Sequence, residues 1–80
     1  MDQYAIQLLD DVDTYISEEI AVIGTPTAYI EHQSNLVRAV AIELLRDGYR
    51  GTDPLQHVIE IVSDQLQNIN SFFFTLRLYS

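Results

Sequence analysis

Residues 54–79 read PLQHVIEIVSDQLQNINSFFFTLRLY. Within them Leu55, Ile59, Val62, Leu66, Ile69, Phe73 and Leu76 follow one another at alternating spacings of 4 and 3. A mean period of about 3.5 residues is that of a helix packed along its whole length on other helices. Asp53, Pro54 and Gln56 supply an N-cap, a first-turn proline and a capping-box glutamine, so this helix is expected over about 54–78. The outer face holds His57, Glu60, Asp64, Gln67 and Ser71. Residues 72–79 also have strong β propensity and could instead be a strand. The unbroken heptad phase and the lack of any partner strand favour helix. Phe74 and Leu78 then turn away from the main stripe and form a candidate interface.

Working outward, Ala5, Leu8, Leu9, Val12, Ile16, Ile20 and Ile23 mark an amphipathic helix over about 2–23. Tyr4, Tyr15 and Val22 edge its stripe, and Asp10, Asp11 and Glu18 lie on its opposite face with Gln3, Gln7 and Thr14. Glu18 and Glu19 stand at the unfavourable end of the helix dipole. Glu19 falls beside the apolar stripe on a helical wheel, where pairing with an arginine at a helix–helix seam is expected.

Gly24, Thr25 and Pro26 read as a left-handed C′ residue, an N-cap and an N1 proline. A middle helix over about 26–47 follows. Its stripe is Ile30, Val37, Val40, Ala41 and Leu44, widened by Tyr29, Leu36 and Leu45. Gln33 lies inside that stripe, where its amide needs partners. Arg38, Ile42 and Arg46, spaced four apart, form a second contact face. Gly48 or Gly51 ends the helix. The fold class is therefore all-α: an antiparallel three-helix bundle formed by residues 1–80 as one small domain, expected to dimerise.

Eighty residues bury only about 60–65% of the surface their unfolded chain exposes. There is no cysteine to staple the core or hold a metal, which leaves helix packing and self-association. Twelve acidic side chains face four arginines and no lysine, a net charge of −8. Such a chain is repelled by nucleic acid and by anionic membranes, and attracted by basic protein surfaces. The same charge also keeps an apolar-rich domain soluble. The N-terminus lacks a basic signal-peptide region, and no apolar run approaches the ~18 residues of a membrane span. The absence of cysteine fits a cytoplasmic location.

No phosphate loop, nucleophile spacing or cofactor motif stands out, and none of these chemistries is expected. Neighbouring carboxylates such as Asp10 and Asp11 diverge by about 100° on a helix and form no catalytic dyad. His57 with Glu60 or Asp64 is a weak metal-ligand set, so no metal is expected. Arg50 and His57, six residues apart across a helix–helix turn, resemble the Arg-x(4–6)-His motif of the HEPN family. That resemblance implies a dimeric, metal-independent ribonuclease in which Arg50 and His57 line the cleft and His57 is the acid/base. The chain is shorter than that family's four-helix unit, and its acidity disfavours RNA. Length and acidity also resemble those of acyl carrier proteins. Ser34 lies within the middle helix, not at a helix start, and reads as a surface residue.

The leading expectation is a non-enzymatic binding module whose Asp10, Asp11 and Glu18 face covers a basic, nucleic-acid-binding surface of another protein. Phage anti-defence proteins and antitoxins of similar size and composition act in this manner. A structural homodimer joined through Arg38, Ile42, Arg46, Phe74 and Leu78 is the alternative, and a HEPN-like ribonuclease the remote one.

Overall fold

The computed structural model describes residues 2–65. It is an all-α three-helix bundle of α1 (Gln3–Tyr15), α2 (Thr27–Arg46) and α3 (residues 54–65 of the described chain). Ala5 and Leu9 of α1 share a hollow with Ile42 and Leu45 late in α2, while Tyr15 shares a cavity with Tyr29 early in α2. Gln33 of α2 lines that same cavity with Ile59, Val62 and Ser63 of α3. Successive helices therefore run antiparallel. Phe74, Leu78 and the question of helix or strand over 72–79 lie outside the described residues.

The helix starts follow local chemistry. Asp2 caps α1, its Oδ1 accepting the Ala5 N–H at 2.9 Å. Asp53 caps α3 in the same way, from the Gln56 N–H at 3.2 Å, with Pro54 as the first helical residue. Each such cap is worth about 1 kcal/mol. The Gln56 side chain does not complete a capping box; it donates to Glu60 Oε1 at 3.5 Å. The start of α2 differs from expectation. Pro26, not Thr25, holds the N-cap position, and no side chain caps that end. A proline with ψ of 138° leaves the helix path while its carbonyl still receives the Ile30 N–H at 3.1 Å.

α2 ends in a complete Schellman motif. The Gly48 N–H donates to Leu45 O and the Tyr49 N–H to Leu44 O, with Gly48 at φ +82°. Gly24, at φ +92°, takes the left-handed conformation expected of it in the first turn.

The core is aliphatic. Leu8, Val12, Ile16 and Ile20 meet Val37, Val40 and Ala41 of α2 and Val58 and Val62 of α3. Each large side chain among them contributes roughly 1.5–3 kcal/mol on burial. In α3 the most deeply buried residue is Val58, which the heptad reading leaves out, while Leu55 and Ile59 are only partly buried. Adjacent apolar residues at 58 and 59 allow two stripes one residue apart, and packing selects the one through Val58. Ser34 is buried rather than on the surface, and its Oγ has no partner among the described residues. Tyr29, counted in the α2 stripe, is half-exposed.

The expected first helix over 2–23 is the largest correction. α-Helix stops at Tyr15, and a π turn follows over Ile16–Ile20, closed by Ala21 N–H to Ile16 O at 2.8 Å. The cause lies in the spacing of the residues that packing makes core. Leu8, Val12, Ile16 and Ile20 are four apart three times over. On an α-helix each step of four overshoots a full turn by about 40°. Continued as α-helix, the chain would carry Ile20 off the core face and bring Glu19 onto it. An unpaired buried carboxylate costs several kcal/mol. The wider turn keeps Ile20 buried and leaves Glu19 exposed. It also ends the helix early, so Ile23, the last member of the expected stripe, is fully exposed in the turn.

Candidate functional site

Three places gather polar or charged groups. The first is the outer face of α1 and its π turn. Asp10 and Glu18 are exposed, Asp11 partly so, and Gln7 donates to Asp11 Oδ1 at 2.9 Å across one helical turn. Exposed charges on this face interact through solvent and are screened by salt over a Debye length of about 8–10 Å. Among the described residues every arginine already has an acidic partner. Arg50 pairs with Asp2 at 2.7 Å, Arg46 with Glu43 at 3.3 Å, and Arg38 with Asp13 at 3.5 Å. None of the three reaches Asp10, Asp11 or Glu18.

These ion pairs also place the Arg38, Ile42, Arg46 face. Arg38 reaches across to Asp13 of α1, and Ile42 and Arg46 line a shallow apolar hollow of about 250 Å³ with Ala5 and Leu9. The face therefore sits along the α1–α2 seam.

The second place is the end of the bundle where the turn after α2 meets the start of α1. The Tyr4 hydroxyl donates to Gly51 O at 2.8 Å. The Arg50 guanidinium lies 4.9 Å above the Tyr4 ring, donates to Tyr49 O at 3.0 Å and pairs with Asp2. The Tyr49 ring stacks on His57 with centroids 4.8 Å apart. Burial first, and then the neighbouring Tyr49 phenol, hold the Tyr4 pKa above its ordinary 10.0, against the opposing pull of Arg50. Arg50 and His57 thus share an end of the bundle. The guanidinium is engaged by Asp2, the Tyr4 face and a carbonyl, which makes it a clasp on the chain's own N-terminus. His57 Nδ1 and Glu60 Oε2 stand 4.0 Å apart. Among the described residues no three His, Cys, Asp or Glu side chains converge as a metal site would need.

The third place is a cavity of about 220 Å³ where the π turn, α2 and α3 meet. Its apolar lining is Ile20, Val37, Ile59 and Val62. Its polar lining is Tyr15, Glu19, Tyr29, Gln33 and Ser63, of which Glu19, Tyr29 and Ser63 are exposed. Gln33 is only 7% exposed and makes no hydrogen bond to any described residue. The expected pairing of Glu19 with an arginine does not occur among the described residues.

Sequence reasoning did not assemble this cavity, yet it flagged two of its members. Gln33 lies inside one apolar stripe and Glu19 beside another, and the structure brings both to one hollow. No described helix is long and apolar enough to cross a membrane. Set beside known protein families, curated proteins and solved structures, the chain matches none.

Proposed function

We propose that the chain is a non-enzymatic acidic binding module, and that the outer face of α1 covers a basic, nucleic-acid-binding surface on a partner protein. One observation carries this reading. The described arginines are all engaged elsewhere, so Asp10, Asp11 and Glu18 present negative charge with no counter-charge among the described residues. Complementary charge of this kind steers encounter and selects partners. An inhibitor in the manner of phage anti-defence proteins or antitoxins, acting in the cytoplasm, is the specific form proposed.

The partner is to be captured from the native host with tagged protein and then purified. Added to the partner's complex with nucleic acid, the chain should displace the nucleic acid in proportion to its concentration. Formation of a stable ternary complex, with the nucleic acid retained, would contradict the proposed mode of action.

A further inference from the structure

The cavity at the junction of the π turn, α2 and α3 has the chemistry to hold one particular side chain. Its volume, about 220 Å³, falls below the roughly 300–1,000 Å³ of sites for drug-sized ligands. It suits a single long side chain better than a nucleotide or a large metabolite. Its lining is an apolar sleeve with acceptors and aromatic rings: the Glu19 carboxylate, the Gln33 amide, Tyr15 and Tyr29. Gln33 is more than nine-tenths buried, lines the cavity and makes no hydrogen bond to a described residue.

A guanidinium meets all of these features together. It carries five donors in a planar fork, stacks on aromatic faces and hangs on an apolar stem. An ammonium is a compact, strongly hydrated charge and would use the rings less well. The π turn supports the assignment independently, because it holds Glu19 out of the core and at this cavity. Such turns occur often at functional sites. The connecting turn between two cavity-lining segments also exposes Val22 and Ile23, apolar surface of the kind that borders a protein contact. The geometry points to an arginine side chain of the partner protein, anchored in this cavity between Glu19, Gln33 and the two tyrosines. This rests on the reading of the chain as a module for a basic partner, and it names the residue that partner inserts.

The test uses the full chain and a short alanine-based peptide with one central arginine, followed by backbone amide NMR. Shifts should concentrate at Glu19, Gln33, Val37 and Ser63 and saturate. The same peptide with citrulline, equal in shape but uncharged, should leave them unmoved, and a lysine peptide should bind more weakly. Glu19→Gln should weaken arginine-peptide binding about tenfold, the loss of one charge-assisted hydrogen bond. Ser63→Phe, placed at the exposed rim, should block it while the spectrum stays that of a folded chain. Shifts outside the cavity, equal binding of citrulline, or an unaltered affinity for Glu19→Gln would each overturn the assignment.

The combined variant Asp10→Asn, Asp11→Asn, Glu18→Gln separates this from the wider reading. It should bind the peptide within about twofold of the unaltered chain, since none of the three lines the cavity. If it loses affinity for the partner while the peptide never enters the cavity, the arginine anchor is wrong and the acidic face stands. If the peptide binds as expected and the variant holds the partner fully, the anchor stands and the acidic face is wrong.

Discussion

Tyr4 shows how much of this fold depends on single polar contacts. Its hydroxyl ties the start of α1 to the Gly51 carbonyl, and its ring carries Arg50. Tyr4→Phe keeps the ring and loses the hydrogen bond, which should lower stability in urea. The pH dependence has a definite sign. Folding raises the Tyr4 pKa above 10.0, so its contribution is complete below pH 10 and is lost as pH rises through the folded value. The gap in stability between the unaltered chain and Tyr4→Phe should therefore close above pH 10. A gap that widened there would contradict the assignment. Gly51 tests the same clasp from the other side. A Cβ on Gly51 would run into the Tyr49 ring and hydroxyl, and that ring is stacked on His57. Gly51→Ala should cost about 1 kcal/mol by displacing the stack. In a His57→Ala background, where no stack remains to lose, most of that cost should vanish. Equal costs in both backgrounds would show that the stack plays no part.

At the scale of elements, the informative case is the first helix. Ends marked by special chemistry were legible at the Asp53–Pro54 start and the Gly48 stop, whereas Gly24 is left-handed as expected but lies in the turn beyond the helix end rather than at its C′ position. The π turn was not legible, because it has no residue signature. A pattern of threes and fours runs through Ile16, Ile20 and Ile23 without a break, and only packing against α2 and α3 decides which of them is core. The same limit explains Val58, since two adjacent apolar residues fit either register. Side-chain truncation separates the two descriptions. Ile20→Ala should cost about 2–5 kcal/mol, as a buried isoleucine does, and Ile23→Ala should stay within about 0.5 kcal/mol, as exposed sites do. Similar losses at both positions would restore the unbroken helix. Deleting Ser17, an exposed residue inside the π turn, removes the extra residue and lets α-helix continue with Ile20 still facing the core. We expect a folded chain of equal or greater thermal stability whose Glu19 has rotated away from the cavity. Its affinity for the arginine peptide should fall by about tenfold, as for Glu19→Gln. Full retention of that affinity would show that the π turn does not set the position of Glu19.

For the whole molecule the governing quantity is charge. Twelve carboxylates and four arginines were plain in the sequence, and they carry the expectation that nucleic acid is not a direct partner. The sequence could not show how the arginines are spent. Three of them pair with Asp2, Asp13 and Glu43, two across distant parts of the chain, and among the described residues none compensates the α1 face. Ion pairs as exposed as these contribute little to stability, about 0–1 kcal/mol each. Their larger consequence is to shape the field that a partner meets. That field supplies the most direct test of the account: the affinity for the purified partner at about 50 and 200 mM salt, for the unaltered chain and for the variant Asp10→Asn, Asp11→Asn, Glu18→Gln. The unaltered chain should lose about tenfold or more in affinity over that interval. The variant should bind more weakly at low salt and respond less to added salt. An affinity independent of salt, or the same salt response in both proteins, would contradict the claim that this face is what the partner binds.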